Sequence, residues 1–223
     1  MALGSAGVLL HLTRRRRSPS RGPMAEARSP VHDGSMDDRA VELFVESIGR
    51  FADRVDDITD DQWSRPTPCA EWDVRTLVDH VCNEQLWAPH LVDGETIEQV
   101  GDRYDGDVLG DDPKATFRRA AEASTAAFQR ADLDAIVHLS FGDVPCRIYL
   151  DQMLTDAEVH GWDLATGLGD DAELEPETAS YLLPGMQAQE ELIRSSGMFG
   201  DAVPVDDGAD DATRLLALLG RRP

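Results

Sequence analysis

Asp156 and His160 stand four positions apart in the run Asp156-Ala157-Glu158-Val159-His160. On a helix this spacing puts both on one face, about one turn apart. A carboxylate and an imidazole so placed can reach a single ion. Tyr149, Met153 and Asp163 fall on the same face. The Asp-x-x-x-His pattern alone equally describes a surface ion pair. A second imidazole, His80, shares a sector with Leu77 and Trp87 if the segment turns by about 100° per residue. That sector lies beside the Val74, Val78 and Val81 stripe, at the edge of a core-facing surface. Alone, His80 reads as a satisfied core histidine, with Glu84 one turn on as a partner at the rim. The two signals combine if the helices face each other. Burying an ionised Asp among imidazoles is costly without pairing. A divalent ion removes that cost, because it takes neutral imidazole nitrogens and an ionised carboxylate as ligands. Three protein ligands leave a position for water or substrate, the arrangement of catalytic sites. The expected ligand set is His80, Asp156 and His160. Zinc suits it best, and nickel, iron or manganese could use it too.

These residues need helices to hold them, and the periodicity predicts mostly helix. Leu43, Phe44, Ile48, Phe51 and Val55 form an apolar stripe over 37–57, with Ser35 as cap and Asp38 in the capping-box position. Pro66 and Pro68 then break the chain. Asp73 caps a helix running to about residue 91. A long polar loop is expected over 94–112, and Asp112 followed by Pro113 opens a helix to about 131. Residues 136–145 read as a short hairpin or crossover, turning at Gly142 and Asp143. Helices follow over 146–166, ending near Gly167 and Gly169, and over 176–195, kinked at Pro184. A last one spans 212–219. The fold class is all-α: a four-helix bundle with a short extended crossover and a C-terminal helical extension. The segments near 37–57, 73–91 and 146–166 supply three bundle helices, and 176–195 or 113–131 the fourth.

Composition limits the functions such a bundle can have. The net charge is −22, yet residues 1–35 hold six Arg against Glu26 and Asp33. The tail's net +4 leaves −26 on the remainder, a surface that repels phosphate backbones, so no nucleic-acid partner is expected. No apolar run approaches the roughly 18–20 residues that span a bilayer, so no membrane association is expected either. Residues 1–35 lack the order of charge, apolar region and cleavage site of a secretory signal. They read as a disordered basic tail or as a start placed too early, Met24 and Met36 being alternative starts. Residues 36–223 read as one domain. Cys69, Cys82 and Cys146 are odd in number and contain no Cys-x-x-Cys, which fits reduced thiols in the cytoplasm.

Several segments together resemble a known family. They are Thr67-Pro68-Cys69-Ala70-Glu71-Trp72-Asp73-Val74-Arg75, then Leu77-Val78-Asp79-His80-Val81, then His160-Gly161-Trp162-Asp163-Leu164-Ala165. The tail Leu215-Leu216-Ala217-Leu218-Leu219-Gly220 adds to the likeness. The chain resembles the DinB-like helical bundles over about residues 36–222. Within them it is similar to the N-terminal domains of mycothiol-dependent maleylpyruvate isomerases, an actinobacterial metal-binding group. The resemblance implies a DinB-like four-helix bundle with a metal on residues matching His80, Asp156 and His160. Family enzymes often carry Glu where Asp156 stands; Asp is one CH₂ shorter, which bears on affinity. The resemblance also implies mycothiol, a small thiol, as cosubstrate, with a small electrophile as the second partner. The isomerase has a further C-terminal domain, whereas about 60 residues follow the 146–166 helix here, so the maleylpyruvate reaction itself is not implied.

Two function classes remain in view. One is a metal-dependent mycothiol S-transferase or isomerase. The other is a non-catalytic metal-binding bundle with a structural or small-ligand-sensing role. A homodimer is compatible with either. Cys69, just ahead of a helix, is a reactive thiol or a small residue fixing the loop. Trp72 and Trp162 read as core packing, with packing over the site as the functional alternative. Asp163 reads equally as an orienting partner of His160 or as a surface acid. Gln85 and Trp87 are expected at the cavity entrance.

Overall fold

The computed structural model describes residues 34–196 and 199–223. The chain runs through α1 (Gly34–Asp57), α2 (Val74–Val92), α3 (Ile97–Val100) and α4 (Pro113–Arg130). Strands β1 (Ile136–Leu139) and β2 (Gly142–Pro145) follow. Then come α5 (Cys146–Leu168), α6 (Pro176–Ala188), α7 (Glu190–Ser196) and α8 (Asp211–Leu218). The structure is mostly helical, as the periodicity requires, and no described helix is long and apolar enough to cross a membrane.

Helices α1, α2, α4 and α5 form the bundle: α1 packs on α5 and α4, and α2 packs on α4 and α5. The fourth member is therefore the 113–130 segment, while α6 packs mainly on α8. The predicted stripe of α1 is fully used. Leu43, Phe44, Phe51 and Val55 are inaccessible to solvent. Phe51 stacks on Phe117 and Phe44 meets Phe128 edge-on, both at 5.0 Å between centroids. Each such pair adds about 1 kcal/mol beyond the area it buries, which fixes α4 against α1.

Several local expectations are met. Asp73 caps α2 by accepting from Thr76 N at 2.8 Å, and Asp112 caps α4 by accepting from Ala115 N at 3.2 Å. Gly169, in the left-handed conformation, closes α5. Others are corrected. Helix α1 begins at Gly34, so Ser35 lies inside it and is not its cap. The tail expected over 1–35 falls, up to residue 33, outside the described residues, and so does Met24. The polar 94–112 segment contains α3, stabilised by a capping box between Thr96 and Gln99. The hairpin turns at Ser140 and Phe141, because Leu139 pairs with Gly142. Pro184 stays within α6, and the chain breaks five residues later at Gln189.

Candidate metal centre

The site lies where α2 faces α5. Between α1 and α2 the chain folds back on itself, held by a bridge between Pro66 and Asp73. Thr67 N and Thr67 Oγ1 both donate to Trp72 O, at 3.1 and 2.9 Å. This turn sets Trp72 against the two imidazoles, its ring 4.8 Å from that of His80 and 5.8 Å from that of His160.

His80 Nε2 and His160 Nε2 each lie 3.4 Å from the same oxygen, Asp156 Oδ1. One ligand atom from each of the three residues lies within 4.8 Å of the others, a grouping that could hold a metal ion. The separations are informative. A distance of 3.4 Å is long for a hydrogen bond. Two ligands each about 2.05 Å from a tetrahedral ion stand about 3.3 Å apart, so the spacing matches adjacent corners of a coordination shell. Asp156 Oδ2 is buried and has no hydrogen-bond partner among the described residues. The donor set and the orphaned oxygen fit a divalent ion. The three side chains are only 8–13% exposed, so the site is nearly closed.

Charge distribution says the same. Burial works against ionisation of Asp156, yet His160 and then His80 hold its carboxyl far below the ordinary range. Burial likewise disfavours the His160 imidazolium, but Asp156 and Asp163 push its pKa well above the usual histidine value. Without a metal, a proton on His160 supplies the positive charge that Asp156 needs.

The other side of His160 is anchored. Its Nδ1 donates to Asp163 Oδ2 at 2.9 Å, which leaves Nε2 as the nitrogen facing Asp156. Asp163 is fully buried. Burial opposes its charge, but His160 and Arg221 hold its pKa down to about 2. Arg221 grips it with both arms of the fork, Nε at 3.2 Å from Oδ1 and Nη2 at 2.8 Å from Oδ2. The Cys69 thiol donates to the same Oδ2 at 3.1 Å. Cys69, His160 and Asp163 form a second grouping of metal-ligand type, but there the Arg221 guanidinium already supplies the cation.

Arg221 was not indicated by the sequence, since a charged residue just past the last helix belongs to no periodic pattern. Its position depends on Gly220, which has φ +80° and approaches Gly200 so closely that a Cβ would come within 2.7 Å of the Gly200 Cα. Only glycine fits, and the reversal there aims Arg221 back into the bundle.

The three expected ligands are thus brought together, and Asp163 is an orienting partner rather than a surface acid. Trp162 is buried in the core as expected, whereas Trp72 is only partly buried and flanks the two imidazoles. Three placements differ. Glu84 is not at the rim beside His80 but is 4% exposed, inside the bundle. Gln85 is fully buried and accepts from Ser124 Oγ at 2.6 Å, tying α2 to α4. Trp87 packs against Tyr104, with ring centroids 6.2 Å apart. Gln85 turns toward α4, and Trp87 lies about two turns beyond His80 on α2, against Tyr104.

A DinB-like bundle with a two-histidine, one-carboxylate cluster defines a class, and comparison narrows it. Residues 44–165 match the family described as the mycothiol maleylpyruvate isomerase N-terminal domain, and the chain belongs to that family. It is similar to two Mycobacterium tuberculosis proteins. They are the uncharacterized protein MT0763 of strain CDC 1551 / Oshkosh and the uncharacterized protein Rv0738 of strain ATCC 25618 / H37Rv. Each is 32% identical over 178 residues, covering 77% of this chain and 91% of the relative. No solved structure matches.

Proposed function

We propose that the chain binds one divalent ion, zinc by preference, through His80 Nε2, His160 Nε2 and Asp156. With it the protein acts as a mycothiol-dependent S-transferase or isomerase on a small electrophile. The observation that carries the reading is the pair of 3.4 Å separations centred on Asp156 Oδ1. An ion held there would draw the proton from a small thiol and present the nucleophilic thiolate. The chain's own residues supply the setting. Asp163 and Arg221 lock the His160 tautomer, and the Trp72 ring covers one side of the imidazoles. The near-complete burial of the cluster limits competing water. Family membership supports the choice of mycothiol as the thiol.

The test uses purified full-length protein, stripped of metal and reloaded with zinc, mixed with mycothiol and a panel of electrophiles. Thiol conjugates or isomerised products are expected from wild type, and none from His80→Ala. Metal binding without any thiol turnover would contradict the catalytic reading and favour a non-catalytic metal-binding bundle.

A further inference from the structure

One buried acid beside the centre is explained neither by packing nor by the three-ligand set. Glu84 lies one helical turn beyond His80 on α2, and its Oε1 is buried with no hydrogen-bond partner among the described residues. A buried carboxyl left this way costs stability. Burial pushes its carboxyl up to about 7, and the charges acting on it are those of His80, Asp156 and His160, the three members of the cluster. On the α5 side, Tyr149 is 4% exposed, and its hydroxyl is also buried without a partner. Burial, with Glu84 as the leading neighbouring charge and Asp156 another, keeps that phenol protonated. Glu84 Oε1, Asp156 Oδ2 and Tyr149 OH are thus three buried oxygens without a hydrogen-bond partner among the described residues, on side chains whose charges act on one another.

Charge counting gives this arrangement a purpose. Two neutral imidazoles and one carboxylate offset a single unit of a divalent ion's charge. The remaining unit would sit in a largely buried site, where uncompensated charge is expensive. Among the described residues, Glu84 is a buried acid on which the cluster's charges act and which makes no ion pair of its own.

We propose that Glu84 is the second acid of the centre, a carboxylate outside the three-ligand set that neutralises the ion's remaining charge, with Tyr149 as the accompanying hydroxyl donor. This rests on the reading of His80, Asp156 and His160 as metal ligands. It adds a residue whose loss weakens the ion without touching a ligand. It also explains why an unsatisfied acid is kept in the core: the cost is borne by the metal-free form and recovered when the ion binds.

The experiment measures zinc affinity of the stripped full-length protein by chelator competition, alongside thermal melting of the metal-free form. Variants are Glu84→Gln, Glu84→Asp and Tyr149→Phe. Glu84→Gln is expected to weaken zinc by roughly 10–100-fold, the range for outer partners of metal ligands, while its metal-free melting temperature stays level or rises. Glu84→Asp, which keeps the charge, should fall between Glu84→Gln and wild type. Tyr149→Phe removes no charge and should stay within a few-fold of wild type. Equal affinity in wild type and Glu84→Gln overturns the proposal while leaving the three-ligand reading intact. A larger loss in Tyr149→Phe than in Glu84→Gln overturns it in favour of hydrogen bonding. A lower metal-free melting temperature in Glu84→Gln overturns it in favour of a packing role. Wild type that binds no zinc removes the three-ligand reading and this proposal together.

Discussion

On helix α5, the buried acids Glu158 and Asp163 are each paired with an arginine, whereas the largely buried Asp156 meets only imidazoles. Glu158 accepts from Arg50 Nη2 at 2.8 Å, from Ser47 Oγ at 2.6 Å and from Glu175 N at 2.6 Å, so both its oxygens are used. Asp163 is gripped by Arg221 and bonded to His160 and Cys69. Asp156 has two imidazoles at 3.4 Å and an oxygen with no partner among the described residues. The same element therefore shows how this fold finishes a buried acid when the acid is structural. Asp156 is left unfinished, beside a second unfinished acid from α2, and that difference marks where an external cation belongs. The two groupings that share His160 repeat the contrast: on its Nδ1 side Asp163 is held by Arg221, and on its Nε2 side Asp156 has no arginine or lysine, only the imidazoles.

The contrast can be broken most decisively at Asp156. Asp156→Asn or His160→Ala should reduce zinc affinity by more than the roughly 100-fold upper range for outer partners, measured by chelator competition. If either variant binds like wild type, Asp156 is no different from its two neighbours.

Arg221→Gln comes next. It strands Asp163 in the core, and removing one partner of a buried pair costs about 3 kcal/mol; denaturant unfolding reads this. It should also weaken zinc by roughly tenfold, since it frees the group that orients His160. The same pair predicts an acid limb. Asp163's pKa falls from an ordinary 3.8 to about 2 in the folded protein, so its contribution is complete above pH 3.8 and is lost as the pH falls through about 2. Arg221→Gln should lose stability at a higher pH than wild type in an acid titration followed by circular dichroism.

Glu158→Gln sharpens the comparison from the structural side. Arg50 is more than a third exposed, so the cost should be only about 1–2 kcal/mol. Zinc affinity should not change. A large loss of zinc binding there would mean that the acids of α5 act as one network.

The smallest effect concerns the thiols. Burial first, and then Asp79, pushes Cys82 up to about 12; burial, with Asp132, raises Cys146 to about 11. Cys69 is only half-buried. A thiol reagent on the folded protein should label Cys69 quickly and the other two slowly, and Cys69→Ser should remove the fast phase. Bound zinc should alter the fast phase only modestly, because Cys69 lies on the Nδ1 side of His160.

Much of this architecture was legible in the sequence. The stripe of α1 and the caps Asp73 and Asp112 are local patterns with one physical reading each, while the four-residue spacing of Asp156 and His160 became a site only once His80 was set beside it. The fourth bundle helix was not, since the 113–131 and 176–195 segments both read as helices and it is packing that puts α4 in the bundle and α6 on α8. Glu84 stands in the i+4 register of His80, yet the register cannot show that helix α2 turns it inward. Arg221 acts through a tertiary contact made possible by Gly220 meeting Gly200, which no periodicity encodes. Ligand spacing within a helix is local and readable, whereas the groups that tune those ligands arrive from elsewhere in the fold.

The most direct test is the metal content of the purified full-length protein, measured by elemental analysis after zinc loading and exhaustive dialysis. Wild type should retain one divalent ion per chain, and His80→Ala should retain none. An empty wild type, or equal retention by His80→Ala, would contradict the account.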